Sequence, residues 1–512
     1  MLSVTAPLIS ETHSAVYHVE GSAGAIFVPA ALDFLSLAAL LAALLHLSER
    51  SVGCRRFLWG GLIATLPAVV LKTWTALQSE AVSRVSYLMV FVAPLILLAT
   101  LRILWTRGGA RIFDHAQELF ASAFGMASLV GLVVLVELAW FGWQARGLNR
   151  TVELHRHSAV GESGVHRGRV IWILLDELSY QQVYERRFPG LMLPGFDRLA
   201  GEGTVFTKVV PISADTALVI PSLMTGIRSK GLGITADGQL HQLHDADTDT
   251  WRTFDPHRTV FQDALDDGYS TGVAGWYNPY CRILPSVLDH CVWSSQIPLH
   301  GHLYGRRSVL RNVFGPWTSL MTIGQHVLVG ESGGLNPDVE VTKAHIADYQ
   351  QLVAAGDDLL RDSSSDFIFL HMPFPHPGGI FDRKQNRLSL ARSSYIDNLA
   401  LADEYVAHVR ALLEQRGEWD PSTVVVMGDH SWRTRRNWIG TPWWTAEDQL
   451  ASQGGQFDDR PAYIVKLPGQ QVGATIDTRY DAIRTRALLD ELLTGKLTTV
   501  AELEAWVRAS AR

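Results

Sequence analysis

The first 150 residues contain four apolar runs separated by short polar loops. A bilayer core needs about 20 apolar residues of helix, and a buried helix of a soluble protein is seldom this long and this poor in charge. Four such runs in succession disfavour an all-helical soluble domain. Residues 1–145 are therefore predicted to form a transmembrane domain with four α-helical spans, at about residues 25–47, 57–77, 85–105 and 119–143.

The basic residues of the loops predict the orientation of this anchor. The first and third loops are basic, with Arg50, Arg55, Arg56, Arg107 and Arg111, whereas the second loop has only Arg84. Because Lys and Arg mark cytoplasmic loops, everything after residue 143 is predicted to lie outside the cytoplasm. The predicted location is the inner (cytoplasmic) membrane, crossed several times, with the following domain facing the periplasm or the cell exterior.

Three charged residues, Asp33, Lys72 and Glu137, lie within or near the ends of the predicted spans. Charge at bilayer depth is costly and marks a candidate functional position. Lys72 is close enough to a span end for its side chain to reach the interface instead.

After the spans the pattern changes. Residues 146–168 are polar without an apolar period and are predicted to be a juxtamembrane linker. From residue 169 to 512, short β-branched runs alternate with helical patterns, which is typical of an α/β domain with a mostly parallel sheet sandwiched by helices. The predicted strands are 170–175, 204–210, 270–274, 367–371, 423–427 and 462–467, and the predicted helices include 194–200, 217–225, 259–266 and 388–415.

Composition agrees with this division into two parts. Hydrophobic residues make up 47% of the chain and charged residues 19%, and three cysteines cannot build a disulfide scaffold. Residues 1–150 hold 10 basic and 8 acidic residues, so the remainder holds 34 and 43, and charges of +2 and −9 sum to the net −7. This acidic balance argues against a nucleic-acid partner.

Candidate chemistry collects at the ends of three predicted strands. Asp176 and Glu177 follow the first, His371 and His376 follow the fourth, and Asp429 and His430 follow the fifth. Ligands of open α/β sheets bind outside the carboxyl ends of the strands. A single acidic residue after a strand is often only a helix cap. Three strands that each end in carboxylate or imidazole side chains favour a site for a divalent cation with oxygen and nitrogen ligands.

At this point the chain resembles a known family. The segments 193–207, 395–403 and 423–430 are similar, in this order, to segments of sulfatase-like members of the alkaline phosphatase superfamily. The similarity spans about residues 170–470 and implies an alkaline-phosphatase-like fold. The membrane-anchored branch, which includes phosphoethanolamine and phosphoglycerol transferases, has the same plan of N-terminal spans and an outward-facing catalytic domain, although it commonly has five spans.

The segment 215–226 separates the subfamilies. Sulfatases have a Cys or Ser two residues before the proline, oxidised to formylglycine, and an Arg two residues after it, whereas this chain has Val219 and Leu223. The transferases have a threonine five residues before the proline, and Thr216 stands there. The resemblance therefore implies Thr216 as the nucleophile, at a helix start where an anionic phosphoryl group is favoured. A plain N-cap role for Thr216 is the alternative.

The resemblance also implies a metal centre. Its ligands would be Thr216, Asp429, His430 and a carboxylate after the first strand. Sulfatases have an Asp pair there, which corresponds to Asp176 and Glu177, whereas the transferases have a single Glu, which corresponds to Glu177. One or two divalent ions are expected, Zn²⁺ or Mn²⁺ in preference to Ca²⁺ or Mg²⁺.

Further residues are candidates for contact with substrate. By resemblance, His376 would contact the phosphoryl group or protonate the leaving group, while His371 is either substrate-binding or structural. Arg433 would suit an anionic substrate, or belong to a solvated basic turn. Cys281 and Cys291, ten positions apart in a domain predicted to lie outside the cytoplasm, are expected to form a disulfide.

The resemblance implies a membrane-anchored, metal-dependent phosphotransferase. It would move a phospho-head-group from a phospholipid-type donor in the membrane, through phosphothreonine, to an envelope glycan or lipid acceptor. The alternatives are a phosphodiesterase, phosphonate-ester or other sulfatase-like hydrolase that uses water as acceptor, and a catalytically silent, membrane-tethered binding protein.

Overall fold

The computed structural model describes residues 14–63, 107–148, 168–296 and 337–509, with isolated residues at 8, 99, 154–155, 309–310, 312–315 and 317. The chain divides into two compact units. The first comprises Met1–Leu148, Ala236–Gly238 and Leu299–Gly330, and the second comprises Asn149–Thr235, Gln239–Pro298 and Glu331–Arg512.

The helices of the first unit include α1 (Ser14–Tyr17), α2 (Ala23–Ser48) and α3 (Arg107–Gln144). In the described part of the chain, two stretches are long and apolar enough to cross a membrane, α2 and Phe113–Gly147. They include the spans predicted at 25–47 and 119–143. Most of the span predicted at 57–77, and all but residue 99 of the span at 85–105, lie outside the described residues.

Glycines allow α3 to approach α2 closely. A Cβ on Gly142 would lie 3.1 Å from Cβ of Phe27, and one on Gly131 would lie 3.3 Å from the Phe34 ring. Small residues at such crossings are typical of helix pairs in membranes. The outward faces expose large apolar side chains, among them Leu35 at 50% and Leu129 at 66%.

The second unit is the α/β domain. Its helices are α4 (Pro194–Glu202), α5 (Thr216–Thr225), α6 (Val260–Asp266), α7 (Tyr280–Ile283), α8 (Pro337–Arg361), α9 (Tyr395–Gln415), α10 (Ala446–Ala451), α11 (Thr485–Leu493) and α12 (Val500–Ala509). Its strands are β1 (Val170–Leu175), β2 (Thr204–Phe206), β3 (Val209–Val210), β4 (Ser229–Ile234), β5 (Leu240–Asp245), β6 (Thr250–Thr253), β7 (Thr271–Trp276), β8 (His290–Ser294), β9 (Phe367–Met372), β10 (Gly379–Asp382), β11 (Arg387–Ser393), β12 (Thr423–Gly428), β13 (Tyr463–Lys466), β14 (Ala474–Ile476) and β15 (Tyr480–Asp481).

The central sheet has eight strands among the described residues, in the order β14-β2-β13-β12-β1-β9-β7-β8. Only β13 runs antiparallel to its neighbours, so the predicted mostly parallel sheet is confirmed. The inner strands are apolar along their whole length because helices cover both faces. All six residues of β1, Val-Ile-Trp-Ile-Leu-Leu, are buried.

Two predicted elements need correction. The helix predicted at 388–415 begins only at Tyr395, because Ser394 and Asp397 form a capping box at that point. The residues before it form β11, in which Leu388 and Leu390 alternate with polar residues, the period of a strand. The strand predicted at 204–210 is divided into β2 and β3.

Arg169 joins the start of β1 to the end of α8. Its buried guanidinium donates to the carbonyl oxygens of Leu359, Leu360, Asp362 and Ser365 at 2.8–3.1 Å, and to Glu418 at 2.7 Å. The last carbonyls of a helix have no partner within the helix. Arg169 therefore supplies donors to the end of α8 and fixes it beside the central strand.

Candidate active site

The central strands bring the predicted acidic residues to one edge of the sheet. Leu175 at the end of β1 pairs with Gly428 of β12 on one side and with Met372 of β9 on the other. The next residues along the chain therefore leave the sheet side by side. Asp176, Glu177, Asp429 and His430 are all at most 2% exposed.

Thr216 begins α5, and its hydroxyl lies among these side chains. Oγ1 donates to Oδ2 of Asp429 at 2.7 Å and lies 3.2 Å from Nε2 of His430. The N-cap of α5 is Asp215, whose carboxylate accepts from the backbone N–H of Ala217. The alternative interpretation of Thr216 as a plain N-cap is therefore wrong. Its hydroxyl is directed at buried ionisable groups, beside the first N–H groups of a helix, where an anion is favoured.

His430 presents a lone pair to the same place. Its Nδ1 lies 3.1 Å from the carbonyl oxygen of Ser431, which can only accept, and the tautomer that carries its proton on Nδ1 satisfies this contact and leaves a lone pair on Nε2. Burial, with a smaller contribution from Arg433, lowers the pKa of His430 to about 4, so the ring is neutral at pH 7. Nε2 lies 3.1 Å from Oδ2 of Asp429. It is available to bind a cation or to accept a proton.

The residues at this edge fit a divalent cation. Asp176, Glu177 and His430 each place one ligand atom within 4.8 Å of the others. Oδ1 of Asp176 is buried and has no hydrogen-bond partner in the described part of the chain. Burial raises the pKa of Asp176, and the charge of Asp429 raises it further; burial also raises the pKa of Asp429. A cation would compensate this buried negative charge, and the mixture of carboxylate, hydroxyl and imidazole groups is appropriate for one.

Glu177 has different partners from Asp176. Its carboxylate accepts from Nε of Arg433 at 2.8 Å, from the backbone N–H of Arg433 at 3.0 Å, and from the indole N–H of Trp438 at 3.0 Å. Arg433 also donates to the carbonyl oxygen of Ala214 at 2.9 Å. The predicted substrate-binding arginine is therefore paired with a carboxylate and also braces the turn before Thr216. The solvated basic turn considered for Arg433 is wrong.

His376 is buried near Glu177 and Arg433, and one of its ring nitrogens makes a hydrogen bond to the backbone. Nδ1 lies 2.7 Å from the carbonyl oxygen of Pro377 and must carry the proton. The ring packs edge to face against Trp438 and Trp276, at 5.0 and 5.5 Å between centroids. Burial, and then the charge of Arg433, lower its pKa well below 6.5. His376 is therefore a neutral imidazole whose Nε2 can accept a proton.

His371, at the end of β9, is held by a phenol. Its Nδ1 lies 2.6 Å from the hydroxyl of Tyr280, and its Nε2 is buried without a hydrogen-bond partner among the described residues. Burial lowers the pKa of His371 to about 4. Among the described residues, His371 thus has one ring nitrogen anchored by Tyr280 and one without a hydrogen-bond partner.

His345, on α8, is a residue that the sequence did not single out. Its Nε2 lies 2.8 Å from the carbonyl oxygen of Pro373 and its Nδ1 lies 3.0 Å from that of Gly378. These two carbonyls flank the loop that carries His376. Sequence pattern could not reveal this contact, because a histidine on a helical face ordinarily packs or is solvated.

Cys281 in α7 and Cys291 in β8 form a disulfide with their Cα atoms 5.5 Å apart. The bond closes the connection from the end of β7 to β8. It lies in the same turn region as Tyr280, whose hydroxyl contacts His371.

A comparison with family models matches residues 169–468 to the family described as Sulfatase. The chain belongs to the sulfatase family. The match covers more than half of the chain and confirms the resemblance read from the motifs. The second unit is therefore a sulfatase-like enzyme domain of the alkaline phosphatase superfamily, a class that acts on phosphate and sulfate esters.

Solved structures with a similar fold include three enzymes. One is the phosphonate monoester hydrolase of Agrobacterium radiobacter, 14% identical over 64% of this chain and 74% of that chain, with a TM-score of 0.38. Another is the lipoteichoic acid synthase LtaP from Listeria monocytogenes, 14% identical over 64% and 72%, with a TM-score of 0.37. The third is murine ectonucleotide pyrophosphatase/phosphodiesterase 5, 10% identical over 64% and 95%, with a TM-score of 0.35. None of the curated protein sequences compared with the chain matches it.

Proposed function

We propose that the chain is a membrane-anchored, metal-dependent phosphotransferase with Thr216 as its nucleophile. The observation that carries this proposal is the placement of the Thr216 hydroxyl, 2.7 Å from Asp429 and 3.2 Å from Nε2 of His430, at the start of α5. Val219 occupies the formylglycine position of sulfatases and cannot be oxidised to that aldehyde. Phosphate-ester chemistry is therefore favoured over sulfate-ester chemistry.

The reaction would proceed in two displacements. In the first, Oγ1 of Thr216 bonds to the phosphorus of a phospholipid-type phosphodiester, the bond to the lipid oxygen breaks, and the lipid alcohol leaves with the proton that Oγ1 has lost. In the second, the hydroxyl oxygen of an envelope glycan or lipid bonds to phosphorus, the bond to Oγ1 breaks, and Thr216 regains its proton. Nε2 of His376, which is neutral, is suited to accept a hydrogen bond from the acceptor hydroxyl and orient it, and the proton of that hydroxyl passes to Oγ1 of Thr216.

We assign Asp176, Thr216, Asp429 and His430 as the residues that would hold a divalent cation, Zn²⁺ or Mn²⁺. Such an ion supplies charge that stabilises the threonine alkoxide and the phosphoryl oxygens. Asp176 is favoured over Glu177 because its Oδ1 has no hydrogen-bond donor, whereas donors from Arg433 and Trp438 surround Glu177. The guanidinium of Arg433 would replace a second cation, so a single ion is expected.

The proposed location is the inner membrane, with a four-helix anchor and the catalytic domain facing the periplasm or the cell exterior. The lengths and apolar composition of α2 and Phe113–Gly147 support the anchor. The disulfide between Cys281 and Cys291 supports an oxidising compartment. An enzyme anchored in the bilayer would meet a lipid donor there.

The nucleophile can be tested by Thr216→Ala, with Thr216→Ser as the matched control. We expect Thr216→Ala to reduce turnover by about 10⁴-fold or more while metal stays bound through Asp176, Asp429 and His430, and Thr216→Ser to keep partial activity. Mass spectrometry of the intact wild-type protein should show an adduct of phosphoethanolamine or phosphoglycerol size that Thr216→Ala lacks. Full activity of Thr216→Ala would overturn the proposal.

Product analysis separates the transferase from a hydrolase. With a phospholipid donor, product that depends on an added glycan or lipid acceptor indicates transfer, whereas release of the free head group at the same rate without acceptor indicates hydrolysis. A protein that binds no Zn²⁺ or Mn²⁺ at neutral pH would instead support the silent binding protein.

A further inference from the structure

The helix α2 contains two polar groups that it cannot satisfy by itself. Pro29 has no backbone N–H, so the carbonyl oxygen of Ala25, four residues earlier, cannot receive its usual helical hydrogen bond. One turn after the proline, Asp33 places a carboxylate on the same helix, where it is 2% exposed. Both groups would be costly in hydrocarbon without donors.

One segment, distant in sequence, supplies both donors. Nδ2 of Asn312 donates to the carbonyl oxygen of Ala25 at 2.6 Å, and the indole N–H of Trp317 donates to Oδ1 of Asp33 at 2.9 Å. Asn312 is fully buried. Every described residue between 309 and 317 is helical. This segment lies within Leu299–Gly330, which belongs to the first unit, whereas Gln239–Pro298 and Glu331–Arg512 belong to the second.

The position of Asp33 gives the depth that the segment reaches. Asp33 lies ten residues after Ala23, the first residue of α2, and a helix rises 1.5 Å per residue, so it lies about 15 Å along the axis. The hydrocarbon core of a bilayer is about 30 Å thick. In a membrane-anchored protein, a side chain that reaches Asp33 from a neighbouring helix must therefore enter the hydrocarbon core of the bilayer.

The outer face of the segment is apolar. Val309, Leu310 and Phe314 are 45%, 69% and 60% exposed. In the sequence, Arg306, Arg307 and Arg311 all precede Asn312, which contacts α2 where the predicted span begins. Arginines at the surface end of a membrane segment are typical, because their long side chains reach lipid phosphates.

We propose that residues 309–317 form a re-entrant membrane helix that docks on α2 and presents Val309, Leu310 and Phe314 to lipid acyl chains. The segment supplies the hydrogen bonds that Pro29 removes and Asp33 requires. It enters from the outer side, where both the start of α2 and the chain after residue 143 are predicted to lie. This inference rests on the membrane anchor of the proposed function and not on the chemistry of Thr216.

Spin labels on the full-length protein in phosphatidylethanolamine and phosphatidylglycerol vesicles test the location. The free Cys54 is replaced by Ser, and single labels are placed at Leu310→Cys and Phe314→Cys. Leu40→Cys on α2 (45% exposed) is the membrane control, and Val472→Cys (76% exposed) in the second unit is the water control. We expect the labels at 310 and 314 to collide with oxygen and to avoid a water-soluble nickel complex, as the label at 40 does.

The controls distinguish two failures. Labels at 310 and 314 that behave like the label at 472, while the label at 40 stays in lipid, would overturn the re-entrant helix and leave the anchor intact. A label at 40 that meets the nickel complex would overturn the anchor and this inference together.

The hydrogen bond to Ala25 has its own test. Asn312→Leu should lower the thermal midpoint of the detergent-solubilised protein by about 2–4 °C. In a Pro29→Ala background, residue 29 regains its N–H and the Ala25 carbonyl regains a helical donor, so the same substitution should cost much less. An equal loss in both backgrounds would show that Asn312 does not replace the donor missing at Pro29.

Discussion

Asp176 and Glu177 are adjacent residues whose carboxylates face different partners. Glu177 meets four donors from Arg433 and Trp438, whereas Oδ1 of Asp176 meets none and faces the negative charge of Asp429. Burial and the charge of Asp429 raise the pKa of Asp176, so its ionised form is costly to bury without a cation. The same side chain that would bind metal should therefore destabilise the metal-free protein.

Matched amide substitutions should separate the two residues. Without metal at pH 7, Asp176→Asn should leave the thermal midpoint unchanged or raise it, and the increase on adding Mn²⁺ or Zn²⁺ should disappear. Glu177→Gln should destabilise the protein by about 3–5 kcal/mol, because it leaves the buried Arg433 guanidinium unpaired. Thermal melts with chelator and with metal measure both effects. A metal response that survives in Asp176→Asn but is lost in Glu177→Gln would reverse the ligand assignment.

His345 is expected to position His376 through the backbone. Both carbonyls that it contacts can only accept, and burial lowers its pKa, so the neutral ring can donate to one of them at a time. His345→Ala should lower kcat by about 10–100-fold with little change in metal content, since small displacements of a catalytic group are costly. His257→Ala, at an exposed histidine, is the control. Steady-state kinetics that show equal, small effects for the two variants would contradict the positioning role.

Buried neutral histidines contribute to the pH dependence of stability in the metal-free domain. The pKa values of His371 and His430 are each lowered from 6.5 to about 4 by burial, so the unfolded chain binds more protons than the folded one between these values. The contribution of these two histidines to stability should therefore fall as the pH drops from about 6.5 to about 4, while the raised pKa values of Asp176 and Asp429 act in the opposite direction. Chemical denaturation at several pH values measures how the free energy of unfolding depends on pH. In His371→Gln the number of protons taken up on unfolding in this pH range should be lower by about one. An unchanged slope in His371→Gln would mean that His371 is not buried in its neutral form.

Part of this site was predictable because parallel strands end at one edge of a sheet. Asp176 and Asp429 follow strongly apolar strands, and periodicity alone places them together. The partner of Glu177 was not predictable, since Arg433 lies 256 positions away and no local pattern connects them. The contacts of His345 depend on carbonyl groups, which every residue carries and no sequence distinguishes.

At the scale of elements, the bounds of strands that are buried on both faces were predicted to within two residues, as in β1, β9 and β12. The start of α9 was misplaced because the charged and apolar residues of β11 also fit a helical pattern, and only the Ser394 capping box decides the boundary. Antiparallel β13 was recognised as a strand, but its direction depends on the connections around it rather than on its own residues.

The disulfide should stabilise the turn region between β7 and β8. The loop between Cys281 and Cys291 spans ten positions, for which the expected contribution is about 2–3 kcal/mol. The double substitution Cys281→Ser and Cys291→Ser should lower the thermal midpoint and slow turnover, because Tyr280 holds His371 from the same turn. Thermal melts and kinetics of this variant, with Cys54→Ser as the control, measure the effect. Unchanged turnover together with a lowered midpoint would limit the disulfide to stability.

At the scale of the whole molecule, apolar run length and loop charge predict the anchor, while the α/β alternation predicts the catalytic domain. The placement of residues 309–317 in the first unit could not be predicted, since their nine positions are too short to read as a span. Only the contacts of Asn312 and Trp317 reveal it.

The predicted orientation can be tested with cysteine labelling in intact cells. A membrane-impermeant maleimide should label Val472→Cys, at an exposed position of the catalytic domain, and should not label Cys54, which is exposed in a loop predicted to be cytoplasmic. After lysis both should react. Labelling of Cys54 but not of Val472→Cys in intact cells would invert the predicted topology.

Arg169 determines where the catalytic domain can be separated from its anchor. It is the first residue of the predicted domain, yet its guanidinium supplies donors to the carbonyls at the far end of α8. A soluble fragment that starts at Gly168 would keep these hydrogen bonds. A fragment that starts at Val170, only two residues shorter, would lose all of them. The N-terminal boundary of an expressible catalytic domain must therefore lie before this arginine. A start even one residue after Arg169 removes its hydrogen bonds.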